Sequence, residues 1–210
     1  MELVQRFLLE LTAILFIVDP VAAVPGFLAM TARDSHAARQ AAARRGAWTV
    51  FITLIVFALG GTYIFKLFGI TLAAFKVAGG VLIGLSAMDM VQARRSHQQE
   101  TPEETAEGIE KEDVGIMPLG IPMLAGAGAI STVMVSAFAA KTAWDVASLF
   151  ASIALTAFAC YATLRAATAV EKRLGKTGMR ILTRVMGLFL LAISIQYILD
   201  GIRTAFEKGA

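Results

Sequence analysis

The chain is 210 residues long, 57% of them hydrophobic, with a formal charge of +3 and a mean hydropathy of +0.70. A soluble domain of this size would leave much of that apolar surface in water, so hydrocarbon is the simpler solvent, and several long apolar runs exclude a lone secretory signal. The single cysteine, Cys160, excludes a disulfide framework or a thiolate metal cluster, and the cations are sorted among loops rather than gathered into a nucleic-acid surface.

Six runs are long enough to cross a core of roughly 30 Å, which needs about 20 apolar residues in a helix. They cover 7–31, 47–65, 67–93, 116–140, 146–169 and 181–202, so the predicted fold class is an all-α membrane protein of six transmembrane helices. The first run contains Asp19-Pro20 and then Pro25-Gly26. Proline removes a backbone donor and clashes with the preceding turn, so two within six residues predict an opened helix. The Ala- and Arg-rich stretch 32–46 follows, with Asp34 and Ser35 placed to cap a separate short helix.

The third run holds Lys76, the small residues Gly79, Gly80 and Gly84, and Ser86. The glycines suit close helix packing, while Lys76 and Ser86 are lesser candidates for a solute path, together with Ser194. Asp89 with Arg94, and Asp200 with Arg203, are spaced as ion pairs at helix ends. Residues 98–113 carry seven acidic groups and one lysine, a composition that cannot bury itself and predicts an acidic cytoplasmic linker over 98–115. The fourth run contains Pro118, Pro122 and Gly126-Ala127-Gly128, followed by Ser131 and Thr132. Asp19 and Gly128 each lie twelve residues into their runs, roughly 18 Å deep at helical rise. Irregular backbone at that depth is tolerated where it is buried in protein or lines a cavity.

The loops after runs one, three and five carry 4, 3 and 4 Lys or Arg, 11 in all, whereas the opposite side carries 5: Arg6, Lys66, Lys141, Arg203 and Lys208. Cation-rich loops stay in the cytoplasm, so both termini are expected outside. An internal register supports two halves. Residues 76–86 and 184–194 align at an offset of 108, pairing Lys76 with Arg184, Gly79 with Gly187 and Ser86 with Ser194. Residues 22–25 align with 128–131 at 106. Three spans per copy is an odd number, so the second copy enters from the opposite face. This gives a first three-helix repeat over 1–97 and a second over 116–210, with a substrate site at their interface.

The quoted segments resemble the MarC family of bacterial inner-membrane proteins, some of which are similar to small neutral amino acid transporters. The resemblance spans all six runs. It rests on I-V-D-P-V-A-A-V-P-G-F-L-A-M-T at 17–31, F-K-V-A-G-G at 75–80, G-I-P-M-L-A-G-A-G-A-I-S-T-V at 120–133, and R-V-M-G with I-Q-Y-I-L-D-G-I within 184–202. The family pattern is Asn-Pro-x-Gly-x-x-Pro in the first segment and Ala-Gly-Pro-Gly-Ala-Ile in the second. Here Asp19, Ala22 and Ala127 stand where that pattern has Asn, Gly and Pro. The resemblance implies inverted three-helix repeats, helices one and four broken at mid-membrane, and an inner-membrane location.

The expected function is therefore secondary transport or export of a small neutral amino acid, glycine- or alanine-like. The expected contacts are Asp19, Pro20, Ala22, Ala23, Pro25, Gly126, Ala127, Gly128, Ala129, Ser131 and Thr132, with Asp19 as the coupling candidate. Export of another small solute is the nearest alternative, and a non-transporting scaffold a further one. An intramembrane enzyme is disfavoured, because Asp89 sits in Ser-Ala-Met-Asp rather than the Gly-x-Gly-Asp of aspartyl intramembrane proteases. Neither cofactor, metal nor nucleic acid is expected; the partners are a small solute and the lipid bilayer, and homo-oligomer formation stays open.

Overall fold

The computed structural model describes residues 2–92, 115–117 and 119–207, and every regular element among them is helical. In chain order these are α1 (Glu2–Val18), α2 (Val24–Met30), α3 (His36–Phe68), α4 (Leu72–Val91), a π-type turn (Leu119–Leu124), α5 (Ala127–Ala139), α6 (Ala143–Arg165) and α7 (Ala167–Glu207). Four stretches are long and apolar enough to cross a membrane alone: His36–Gly61, Leu72–Val91, Ala143–Arg165 and Thr177–Glu207. The apolar runs 7–31 and 116–140 are divided instead, the first between α1 and α2, the second between the π-type turn and α5.

Local chemistry explains these ends. Asp19 N–H makes the last α1-type bond, to the Leu15 carbonyl (3.0 Å), and Pro20 then has no amide to return to Phe16. Asp19 turns the chain at φ 42°, the one non-glycine residue in the left-handed region among the described residues. Asp and Asn tolerate that region best, their short polar side chains bonding nearby backbone. Pro25 falls in the first turn of α2, where no donor is needed. In the second run Ile121 is extended (φ −134°, ψ 128°), and the amides of Ile121 and Ala125 reach back five residues, to Ile116 and Gly120. Gly126, extended in its turn, opens α5.

The long helices are capped conventionally. Ser35 Oγ accepts from Ala38 N–H (3.2 Å) to start α3, and Thr142 with Asp145 forms a reciprocal capping box to start α6. Gly69 (φ 63°) ends α3, and Gly175 (φ 61°) kinks α7 ahead of its membrane-length part.

The most extensive packing joins α4 and α7, which run antiparallel. A β-carbon built on Gly80 would meet the Ser194 carbonyl oxygen (2.8 Å) and Ile198; one on Gly187 would meet Ala87 and Val91; one on Gly201 would meet Ala73 and Val77. Only glycine permits so close an approach along this seam. α1 and α6 run parallel, tied by Arg6–Asp145 (2.8 Å) and by Ser148 Oγ donating to Glu10 Oε2 (2.7 Å). Phe65 closes the same end, stacked edge-on against Phe75 and Phe138. The outer surface carries exposed apolar side chains such as Leu9, Val56, Leu59, Phe158, Leu188 and Phe189. In water this would be a liability, and in lipid it is the expected finish.

Several expectations need correction. The separate helix over 32–46 does not exist: α3 begins at His36 and runs unbroken for 33 residues. The Ala- and Arg-rich stretch contains good helix formers and no proline, so nothing stops it before the apolar part. Asp200 does not pair with Arg203. It accepts from Gln196 Nε2 (2.9 Å), while Arg203 pairs with Glu207 (2.7 Å), because both four-residue spacings align better on a helix. Arg94, Pro118 and the acidic linker, apart from Gly115, lie outside the described residues.

Candidate functional site

A small cavity of about 30 Å³ lies at the start of α5. Its wall includes Gly126, Ala127, Gly128 and Ala129, four residues that the sequence nominates. Opposite them stand two aliphatic pairs, Ile17 with Leu124 and Ile83 with Leu190, and Ser86 supplies a hydroxyl-bearing side chain. Ile130 N–H is the first α5 amide to bond back, to the Gly126 carbonyl (3.1 Å). The amides of Ala127, Gly128 and Ala129 therefore have no acceptor within the helix, and the positive end of the helix dipole faces the cavity. A β-carbon on Gly128 would sit 3.0 Å from Ile83 Cγ1 and 3.3 Å from Ile17 Cγ2, so the wall closes tightly around a glycine. The volume admits roughly one water and no larger solute.

The first segment is arranged differently. Asp19 is 2% exposed, and its Oδ1 accepts from Ala22 N–H (3.1 Å), closing the turn ahead of α2. Its Oδ2 has no partner among the described residues. Pro20 and Ala23 are buried, Ala22 is half-buried, and Pro25 is exposed. None of these five lines the cavity; α1 contributes Ile17 instead. Ser131 is buried beneath Gly79, 2.9 Å from that glycine's built β-carbon, and the Thr132 hydroxyl donates to the Gly128 carbonyl (2.9 Å).

Of the lesser candidates, Ser86 lines the cavity, Ser194 donates to the Leu191 carbonyl (2.7 Å) within the α4–α7 seam, and Lys76 lies at the far end of that seam beside Gly201. Sequence reasoning missed Ile17, Ile83 and Leu190, since nothing in an apolar run separates a wall residue from a lipid-facing one. It also missed Glu10 and Asp145, whose depth within the α1–α6 interface only the packing reveals.

Comparison with known proteins agrees with the helical architecture. The family described as MarC family integral membrane protein matches residues 4–206. A UPF0056 membrane protein of Methanocaldococcus jannaschii is 39% identical over 201 residues, covering 96% of this chain and 98% of the relative. The UPF0056 membrane protein YhcE of Escherichia coli is 34% identical over 190 residues, with 90% and 88% covered, and YvbG of Bacillus subtilis is 35% identical over 189, with 90% of each covered. No solved structure matches.

Proposed function

The chain belongs to the MarC family of integral membrane proteins, and on that footing we propose that it is a secondary transporter or exporter of small neutral amino acids rather than an enzyme. The observation that carries this reading is the start of α5, where three amides without helical acceptors border a small, partly open cavity walled by Gly126, Ala127, Gly128 and Ala129. Such a helix end holds a carboxylate, and walls of glycine and alanine leave room for only a short side chain once the site opens.

An inverted pair of three-helix repeats, with the first and fourth spans interrupted at mid-membrane, accounts for this placement. Its support is a set of correspondences at an offset of 107 residues, one short of the 108 in the motif alignment. Ser35 and Thr142 cap equivalent helices; Gly80 and Gly187 make equivalent approaches, to Ser194 and Ile198 on one side and Ala87 and Val91 on the other. The helix pairs also come in exchanged sets: α1 lies on α6 as the π-type turn lies on α3, and α2 lies on α7 as α5 lies on α4. Ile17 and Leu124, like Ile83 and Leu190, are related by 107, so four of the residues that line the cavity fall into two matched pairs. In this reading both termini lie outside the inner membrane, and Asp19 is the coupling group.

The test is counterflow in proteoliposomes with a panel of labelled amino acids. Glycine or alanine should exchange and large side chains should not; no exchange of any small neutral amino acid overturns the substrate class.

A further inference from the structure

Asp145, Ser148, Ser152, Thr156 and Cys160 on α6 are spaced three and then four residues apart, which puts them on one helix face. That face meets α1. Arg6 lies on Asp145 and Glu10 on Ser148, so the helices advance together, and the same register brings the end of α1 level with Thr156 and Cys160. A polar strip on α6 therefore runs from the end of the protein that holds Arg6 toward the level of Asp19 at the end of α1.

The two middle members of the strip are unusual. Serine and threonine in apolar helices ordinarily return their hydroxyl to a carbonyl four residues back, as Thr12, Thr31, Thr132 and Thr204 do here. Ser152 and Thr156 are fully buried yet make no such bond, and neither hydroxyl has a partner among the described residues; nor does Asp19 Oδ2. Buried polar atoms left unpaired are costly, and an alanine or valine would serve packing better. Three of them along one strip point to water between them.

We propose that Glu10, Ser148, Ser152 and Thr156, linked by bound water, form a proton path from the N-terminal end of α1 to the carboxyl of Asp19. Successive hydroxyls four residues apart on a helix are about 6 Å apart along its axis, a gap that one water bridges. When Glu10 takes up a proton it becomes the donor and the Ser148 hydroxyl turns from Glu10 Oε2 to the next water; the Glu10 proton then passes to Ser148 Oγ as the Ser148 proton moves on to that water. Each hydroxyl accepts one proton and releases one, so all end unchanged. The last water protonates Asp19 Oδ2, and Glu10 is refilled from the aqueous face. Around Glu10 stand Arg6 on its own helix, Asp145 on α6 and Tyr197 on α7; Cys160 on α6 is the titratable group facing Asp19. Relays of this kind are an established use of ionisable residues inside membranes.

The inference rests on Asp19 as the coupling group, but its test needs no solute. Infrared spectra of lipid-reconstituted protein, recorded after a pH jump, should show a protonated-carboxyl band that Asp19→Asn removes. In the Ser152→Ala/Thr156→Val double variant, and in Glu10→Gln, that band should rise at least tenfold more slowly to the same final amplitude. Thr156→Ser, which keeps the hydroxyl, should restore the wild-type rate. An unchanged rate in the double variant overturns the path, as does the absence of any Asp19-dependent band or a band that follows sodium rather than pH. Failure of amino acid counterflow alongside the predicted kinetics would overturn the transport reading and leave the path standing.

Discussion

Gly80 and Gly187 approach opposite helices in the same way: a β-carbon on the first would lie 2.8 Å from the Ser194 carbonyl oxygen, and one on the second 2.9 Å from Val91 nitrogen. Backbone cannot yield as a side-chain tip can, so both sites should resist even one added methyl. Gly80→Ala and Gly187→Ala are each expected to cost about 1–3 kcal/mol, the usual range for overpacking. Gly60, within α3, has nothing within 4 Å of its built β-carbon. Gly60→Ala should therefore stabilise by up to about 1 kcal/mol through helix propensity. Thermal unfolding in detergent would show both effects, and equal loss at all three sites would mean the seam is not the cause.

Gly128→Ala tests the cavity. Ile83 and Ile17 already stand at 3.0 and 3.3 Å from the position of the new methyl. They can shift by a few tenths of an ångström, so abundance and melting temperature should change little. Counterflow should fall at least tenfold, because the methyl takes space beside the α5 amides. Wild-type exchange by Gly128→Ala, and also by the bulkier Gly128→Leu, would mean that solute passes elsewhere.

Asp19 closes a turn and, in the proposed reading, couples transport to protons, and one substitution separates the two. Asparagine keeps the oxygen that accepts from Ala22 N–H and tolerates φ 42°, but it does not titrate. Asp19→Asn should fold normally and exchange solute with a flat pH profile between pH values where the wild type varies. A wild-type profile in that variant would leave Asp19 a structural cap only. Asp19→Ala should lower stability by about 0.5–1.5 kcal/mol from the lost turn bond to Ala22 N–H, with the left-handed backbone adding to the loss.

The direction of insertion is open to a simple check. Helix directions gather Arg39, Arg44, Arg45, Arg165 and Arg180 at one end of the protein, and Arg6, Lys141 and Arg203 at the other. Alkaline phosphatase fused after the final residue should be active, and a cytoplasmic fluorescent reporter there should stay dark. The opposite pattern would reverse the topology.

Much of the helical layout was legible from proline and glycine. Asp19-Pro20 and Gly126-Ala127-Gly128 coincide with the ends of α1 and the start of α5, because a missing amide or a missing side chain acts locally. The start of α3 was not legible, since alanine and arginine carry a helix through water as readily as leucine does through lipid. The 76–86 and 184–194 match at 108 rests partly on valine and leucine, which recur in any apolar helix, whereas the contacts of Gly80 and Gly187 favour 107 for the proposed repeat. The 145, 148, 152, 156, 160 spacing on α6 is present in the sequence, but only α1 packed beside it makes that spacing a polar strip.

The length of α3 has a structural consequence. At 1.5 Å per residue its 33 residues measure about 50 Å, well beyond a hydrocarbon core of roughly 30 Å. No proline interrupts it, and the Ser35 cap and Gly69 stop fix its ends. Arg39 Nη2 clamps it to the Thr31 carbonyl (2.8 Å) after α2, the Gly46 notch receives Leu119 from the segment leading to α5, and Phe65 locks its far tip to α4 and α5. One unbroken helix therefore touches both interrupted segments near its arginine-bearing end and meets α4 and α5 at its aromatic end, tying contacts at the two faces to a single element.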